Sequence, residues 1–251
     1  TVTDGNGCTV TGDTIITQPL AISISFSGNT SICNGDSTTI TASPGPSWSW
    51  NTGETTASIT KNPTVTLTYT VTVTNASGCT ADSSVTVTVT QKPIADAGND
   101  NEICLGQNVK LMGSSLFGTT YSWTPSGSLD DPLIVQPIAN PVTTTIYTLT
   151  VFNGFCSDVD NTTVTVNPLP SVDLGNDVTL EQGQSVTLNA GTAASYAWAP
   201  SAGLNCSNCA SPVATPLSST TYNVTVTDTN GCKNADSLRI TVVIKCELVF
   251  V

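Results

Sequence analysis

Strict alternation of valine and threonine constrains this chain more than any other feature. The stretch from Tyr69 reads YTVTVTNASGCTADSSVTVTVTQKP. Period two sends successive side chains to opposite faces of a strand, and β-branched Val and Thr suit a pleated surface. Val71 and Val73 share one face, and Thr70, Thr72 and Thr74 share the other. The segment NASG reverses the chain, and Val85, Val87 and Val89 resume the pattern. This spacing predicts a β-hairpin with one buried and one wet face. The phrase returns as YTLTVFNGFCSDVDNTTVTVNPLP from Tyr147 and as YNVTVTDTNGCKNADSLRITVVIKC from Tyr222. A clipped copy, TVTDGNGCTVTGDTIITQP, opens the chain.

The recurrence sets the domain plan. Trp123 and Trp198 lie 75 residues apart (198 − 123), and so do Tyr147 and Tyr222 (222 − 147). Trp50 and Tyr69 hold the same places one unit earlier. A matching strand precedes each Trp: NGDSTTITAS from Asn34, GQNVKLMGSS from Gly106 and GQSVTLNAGT from Gly183. Pro-containing joints, QKP and NPLP, separate the units. The reading is a terminal hairpin at residues 1–18, three modules at 19–92, 93–169 and 170–246, and the start of a further domain at 247–251. About seven short strand signals per module match an immunoglobulin-like sandwich, so the expected class is all-β, with tandem sandwiches. Trp123 and Trp198 fit the buried Trp of such a sandwich better than a carbohydrate-stacking platform. Trp48 and Trp50, two apart, share one strand face; either both enter the core or one caps the module's end.

Charge narrows the partners. The 251 residues carry a net charge of −12, with six Lys+Arg and no His. A nucleic-acid binder needs a basic stripe to neutralise phosphates, and none is present. Anionic membrane surfaces are disfavoured for the same reason, and no apolar run approaches the ~20 residues of a membrane helix. The chain begins at Thr1 inside a hairpin phrase and stops just after a strand, which reads as a piece of a longer polypeptide.

The cysteines track the repeats. Cys33 precedes the second strand of its module and Cys79 follows the hairpin turn; Cys104 and Cys156 hold the same two places in the next module. The expectation is one staple inside each module, Cys33 with Cys79 and Cys104 with Cys156, each worth roughly 4 kcal/mol by loop entropy. Small sandwiches poor in large apolar side chains benefit from such bridges. In the third module Glu181 replaces the first cysteine, leaving Cys232 without a partner of its own. Cys206 and Cys209 form a C-x-x-C, read as a disulfide-pinched turn, since zinc would need two further ligands. Cys8 is assigned a partner upstream of Thr1, and Cys246 a partner in whatever follows.

The motifs ADAGNDNEICLGQ, WTPSGSLDDP, WAPSAGLNCSNCASPVATP and TTYNVTVTDTNGC resemble PKD-like, immunoglobulin-type repeats of large surface proteins from the Bacteroidota. The opening TVTDGNGCTVTGDTIITQP is similar to the end of an SprB-type repeat, that of the cell-surface gliding adhesin. The terminal VVIKCELVFV resembles the lead-in to a gliding-motility-associated C-terminal domain, a type IX secretion signal. The resemblance implies an extracellular, cell-surface protein attached at the outer membrane. It implies as partners an outer-membrane anchor protein and the type IX secretion machinery, with a second surface subunit as a further partner. It also implies O-glycosylation at Asp-Ser/Thr-hydrophobic or similar triplets, which points to Thr14, Ser37 and Ser237.

No catalytic constellation emerges. Nucleophile–base chemistry has no His to use, and no Lys or carboxylate dyad sits in a recognisable motif. Asp96, Asp100, Asp130 and Asp131 lie near strand ends, where hard oxygen ligands could hold calcium, although no known calcium loop is present. No other cofactor is implied. The expected role is a non-catalytic stalk that presents adhesive regions and links them to a secretion domain. The competing reading makes the same modules the spacer of an extracellular polysaccharide-degrading enzyme whose catalytic domain lies upstream.

Overall fold

The computed structural model describes residues 1–12 and 21–244. Thr14, Cys246 and residues 247–251 lie outside the described residues. The protein is all-β, a series of immunoglobulin-like sandwiches. The chain divides into two compact units, residues 1–93 with 152–158, and residues 94–151 with 159–251.

The first unit opens on a short hairpin, Val2–Thr3 paired with Thr9–Val10. Its sandwich sets a four-stranded sheet against a three-stranded one. The larger sheet runs in the order Ser31–Cys33, Thr80–Thr90, Leu67–Thr74, Ser47–Trp50, and the smaller in the order Ser25–Ser27, Thr38–Ser43, Ser58–Lys61. The alternation predicted from Tyr69 is what closes this sandwich: Val71, Val73 and Val87 are wholly buried with Ile40, Trp50 and Tyr69 around them. The threonines of the outer face satisfy one another, as in the Thr68–Thr86 hydroxyl pair at 2.9 Å, while Thr72 donates to Asp82 at 2.6 Å. Trp50 is core, and Trp48 is half-buried against it.

The second unit contains two more sandwiches with separate cores. One has the sheet order Asn101–Cys104, Ser157–Asn167, Thr145–Phe152, Thr120–Thr124; its opposite layer is split into two short pairs, Ile94–Asp96 with Ser114–Leu116 and Val109–Lys110 with Ile138–Ala139. The other has the order Val178–Glu181, Lys233–Val243, Thr220–Thr227, Ser195–Ala199, faced by Val186–Thr187 with Val213–Ala214. Trp123 and Tyr147 fill the first of these cores, Trp198 and Tyr222 the second. The indole N–H of each of the three core tryptophans finds a carbonyl: Trp50 donates to Thr56 at 2.9 Å, Trp123 to Ile134 at 3.1 Å and Trp198 to Cys209 at 2.9 Å.

One feature of register decides where the cysteines lie. The strand that ends in Cys33 runs parallel to the last strand of its sandwich, Cys33 standing opposite Thr90. Asn101–Cys104 is likewise parallel to Ser157–Asn167, with Cys104 opposite Asn167, and Val178–Glu181 puts Glu181 opposite Val243. The strand cysteine therefore sits at the far end of the final strand. The hairpin cysteine sits immediately before that strand's start.

This corrects the expected pairing. Cys79 precedes the 11-residue strand Thr80–Thr90, and at ~3.3 Å per residue its two ends are about 33 Å apart. A disulfide spans no more than about 7 Å between Cα atoms. Cys33 is bonded to Cys156, with a Cα–Cα distance of 5.8 Å, and Cys104 to Cys232, at 5.5 Å. Cys232 is thus bonded and not orphaned, and Cys79, expected in a bridge, is unbonded among the described residues. Cys8 is likewise unbonded among the described residues, and Cys206 is joined to Cys209.

Candidate functional site

The hairpin turns that carry the cysteines are built alike, and the sequence shows why. An Asn or Asp opens each turn, DGNGC, NASGC, NGFC and DTNGC, and a glycine takes positive φ, directly before the cysteine in three of them and directly after the Asn in NGFC. The opening carboxamide or carboxylate accepts the amide N–H of the cysteine. The distances are 2.9 Å for Asp4 to Cys8, 2.9 Å for Asn75 to Cys79, 2.8 Å for Asn153 to Cys156 and 2.8 Å for Asp228 to Cys232. This side-chain closure fixes the cysteine backbone before any bridge forms. The partner cysteines lie on a second recurring turn, where Asp36 and Gln107 donate back to the carbonyls of Cys33 and Cys104.

Around the first bridge, within the first unit, Asn153 Nδ2 donates to the Gln91 carbonyl at 2.7 Å, and Lys92 pairs with Asp158 at 3.4 Å. Cys156 is buried there, its sulfur 3.8 Å from the Thr90 carbonyl. Around the second bridge Cys232 is fully buried, and Asn234 Nδ2 donates to the Pro170 carbonyl at 2.9 Å. A cleft beside it is lined by Leu105, Gly106, Gln107, Leu169, Gly231 and Lys233. Each strand cysteine is therefore bonded to the hairpin turn of the repeat after its own. Sequence reasoning had one signal for this. With Glu181 in the third strand position, an offset by one repeat gives both Cys33 and Cys104 a partner and accounts for Cys232 as well.

The Cys206–Cys209 bridge has a different place. It closes the loop whose Ser207 carbonyl accepts the Trp198 backbone N–H at 2.9 Å and whose Cys209 carbonyl accepts its indole N–H. Its position over the core Trp makes it part of the third sandwich's packing.

The four aspartates each accept hydrogen bonds from the protein itself. Asp96 accepts from Gly98 N–H and Ser114 Oγ, Asp100 from Thr163 N–H, Asp130 from Asp131 and Ile138 N–H, and Asp131 from Leu133 N–H. The calcium candidates are not brought together: among the described residues no three His, Cys, Asp or Glu converge on one point. Of the modification candidates, Ser37 and Ser237 are exposed, each followed by a buried residue, Thr38 and Leu238.

Two groups have shifted acidities. Hydrogen bonds from Lys61 and then Thr52 hold the Glu54 carboxyl at about 2, against an ordinary 4.5. Burial pushes the Tyr222 phenol up, and its hydroxyl donates to the Ala202 carbonyl at 2.8 Å. The first is an ion pair between Glu54 and Lys61, and the second is a phenol bonded to backbone. Among the described residues no helix is long and apolar enough to cross a membrane.

No protein-family model matches the chain, and no curated protein matches it. Solved structures do. The chain is similar to the I-band fragment I67–I69 from titin at 13% identity, with 88% of this chain and 99% of that chain covered and a TM-score of 0.45. It is similar to extracellular domains 3–5 of Drosophila OTK at 10% identity, covering 86% and 94%, with a TM-score of 0.36.

Proposed function

We propose that this chain is a non-catalytic structural stalk within a long secreted cell-surface adhesin of the SprB type. The observation that carries the reading is the offset of the bridges. Cys33–Cys156 and Cys104–Cys232 each tie one repeat to the turn of the next, with sequence separations of 123 and 128. A staple inside a sandwich would protect that sandwich alone. A staple between consecutive repeats holds their junction closed when the chain is pulled, which is what a stalk under tension needs. Disulfides between repeats also fit an oxidising, extracellular setting. In this reading the stalk leads into a C-terminal secretion domain held by an outer-membrane anchor protein, and serves gliding or surface attachment. Ser37 and Ser237 are the accessible positions for O-glycans.

The test is the length and C-terminal sequence of the parent polypeptide, determined by mass spectrometry on protein released from whole cells. A long run of further repeats ending in a gliding-type domain is expected. A parent with a catalytic domain and few repeats would overturn the stalk reading and make these modules an enzyme's spacer.

A further inference from the structure

We infer that Cys79 is the attachment point of a further repeat on the N-terminal side, disulfide-bonded to it through a cysteine in the place that Cys33 and Cys104 hold. This goes beyond the stalk reading and stands whether or not the parent is an adhesin.

Three observations carry it. First, Cys79 is the counterpart of Cys156 and Cys232, and both of those are bonded to the strand cysteine one repeat earlier. The two other turns of this build in the sandwiches thus already show what the third takes as partner. Second, the same end of the first sandwich carries an apolar cleft lined by Ala21, Ile22, Pro44, Pro46, Val73 and Asn75. Asn75 opens the Cys79 turn, and its counterpart Asn153 reaches back to the backbone of the preceding repeat, at Gln91. Third, the indole N–H of Trp48 is buried close to Gly45 at this end and has no acceptor among the described residues. A buried donor left unpaired costs about 1–3 kcal/mol, and a backbone carbonyl from a seated repeat would satisfy it.

The occupant is defined by the same pattern. It is a sandwich of this type whose strand cysteine is followed two residues later by glycine, as in Cys33-Asn34-Gly35 and Cys104-Leu105-Gly106. Such a cysteine precedes the turn cysteine of its own repeat by 46 residues (79 − 33) or 52 (156 − 104). Measured back from Cys8, it falls N-terminal to Thr1. In forming the bond, the two thiols lose two protons and two electrons. A small or protein-borne disulfide takes them up and is reduced to thiols by exchange.

The experiment uses the parent polypeptide, isolated without reductant and with free thiols alkylated at once. Cleavage before Asp36 and Asp82 releases residues 36–81, in which Cys79 is the sole cysteine. The expected result is this peptide joined to one from N-terminal to Thr1 that contains Cys-x-Gly, the two separating on reduction. Alkylated Cys79 would overturn the inference. So would Cys79 bonded to Cys8, to any other cysteine of residues 1–251, to a second copy of itself or to a small thiol. The parent's C-terminal sequence, which decides the stalk reading, is read from different peptides, so the two can fail separately.

Discussion

Replacing Cys33 and Cys156 by serine, singly and together, separates the observed bridge from the pairing within modules. The background is Cys79→Ser, which removes the free thiol that could capture a freed partner. Closing a segment of 123 residues constrains the unfolded chain by about 5 kcal/mol in the loop-entropy relation. With a guanidinium slope of about 3 kcal/mol per molar, that moves the midpoint down by about 1.7 M. The assay is guanidinium unfolding of the oxidised chain, followed by tryptophan fluorescence, with Trp50 reporting the first core. Cys33→Ser and Cys156→Ser remove the same bond, so each is expected to show the full shift and the double variant no more than either one. The coupling in this cycle then equals the whole single-variant effect. The background change Cys79→Ser is expected to be nearly neutral. Additive losses from Cys33→Ser and Cys156→Ser would refute the reasoning, because they would mean two different bridges. So would a loss of several kcal/mol from Cys79→Ser alone.

Three further outcomes follow from the geometry. Lys61→Met is expected to return the Glu54 carboxyl from about 2 toward 4.5, read by NMR titration of its side-chain carbon. Because the folded value lies below the unfolded one, the contact stabilises fully above pH 4.5, and its contribution fades as pH falls toward 2. Val87→Ala, on a fully buried side chain, is expected to cost about 2–3 kcal/mol. Its outward-facing neighbour Thr88→Ala should stay within about 0.5 kcal/mol, and equal costs would refute the period-two assignment of faces. Millimolar calcium and a chelator are expected to give the same thermal midpoint, since Asp96, Asp100, Asp130 and Asp131 are not gathered. A clear upward shift with calcium would show a site the geometry does not contain.

Much of the fold could be read from the chain because it is written in local terms. Val71 and Val73 against Thr70 and Thr72 gave the faces of a strand, and the two are indeed sorted into core and surface. The recurring Trp and Tyr marked three cores, and all of Trp50, Trp123, Trp198, Tyr69, Tyr147 and Tyr222 are buried in them. Less visible was the splitting of the second sandwich's smaller layer, where Leu111 enters the core between two short strand pairs. The four calcium candidates share a place near strand ends in the sequence and are not gathered among the described residues. Asp96, Asp130 and Asp131 accept from nearby backbone amides and Asp100 from the distant amide of Thr163, and sequence proximity does not distinguish such contacts from ligation.

By itself the sequence determined the strand faces, the repeat and the turns that present each cysteine, because these rest on contacts among residues a few positions apart. Only the tertiary structure decided which cysteines meet. Pairing depends on the direction in which Ser31–Cys33 and Asn101–Cys104 lie along the last strands of their sandwiches. That parallel register joins residues more than fifty positions apart, and no local pattern records it. Once it is set, strand and turn cysteines of one sandwich stand at opposite ends of an 11-residue strand and cannot be bonded to each other.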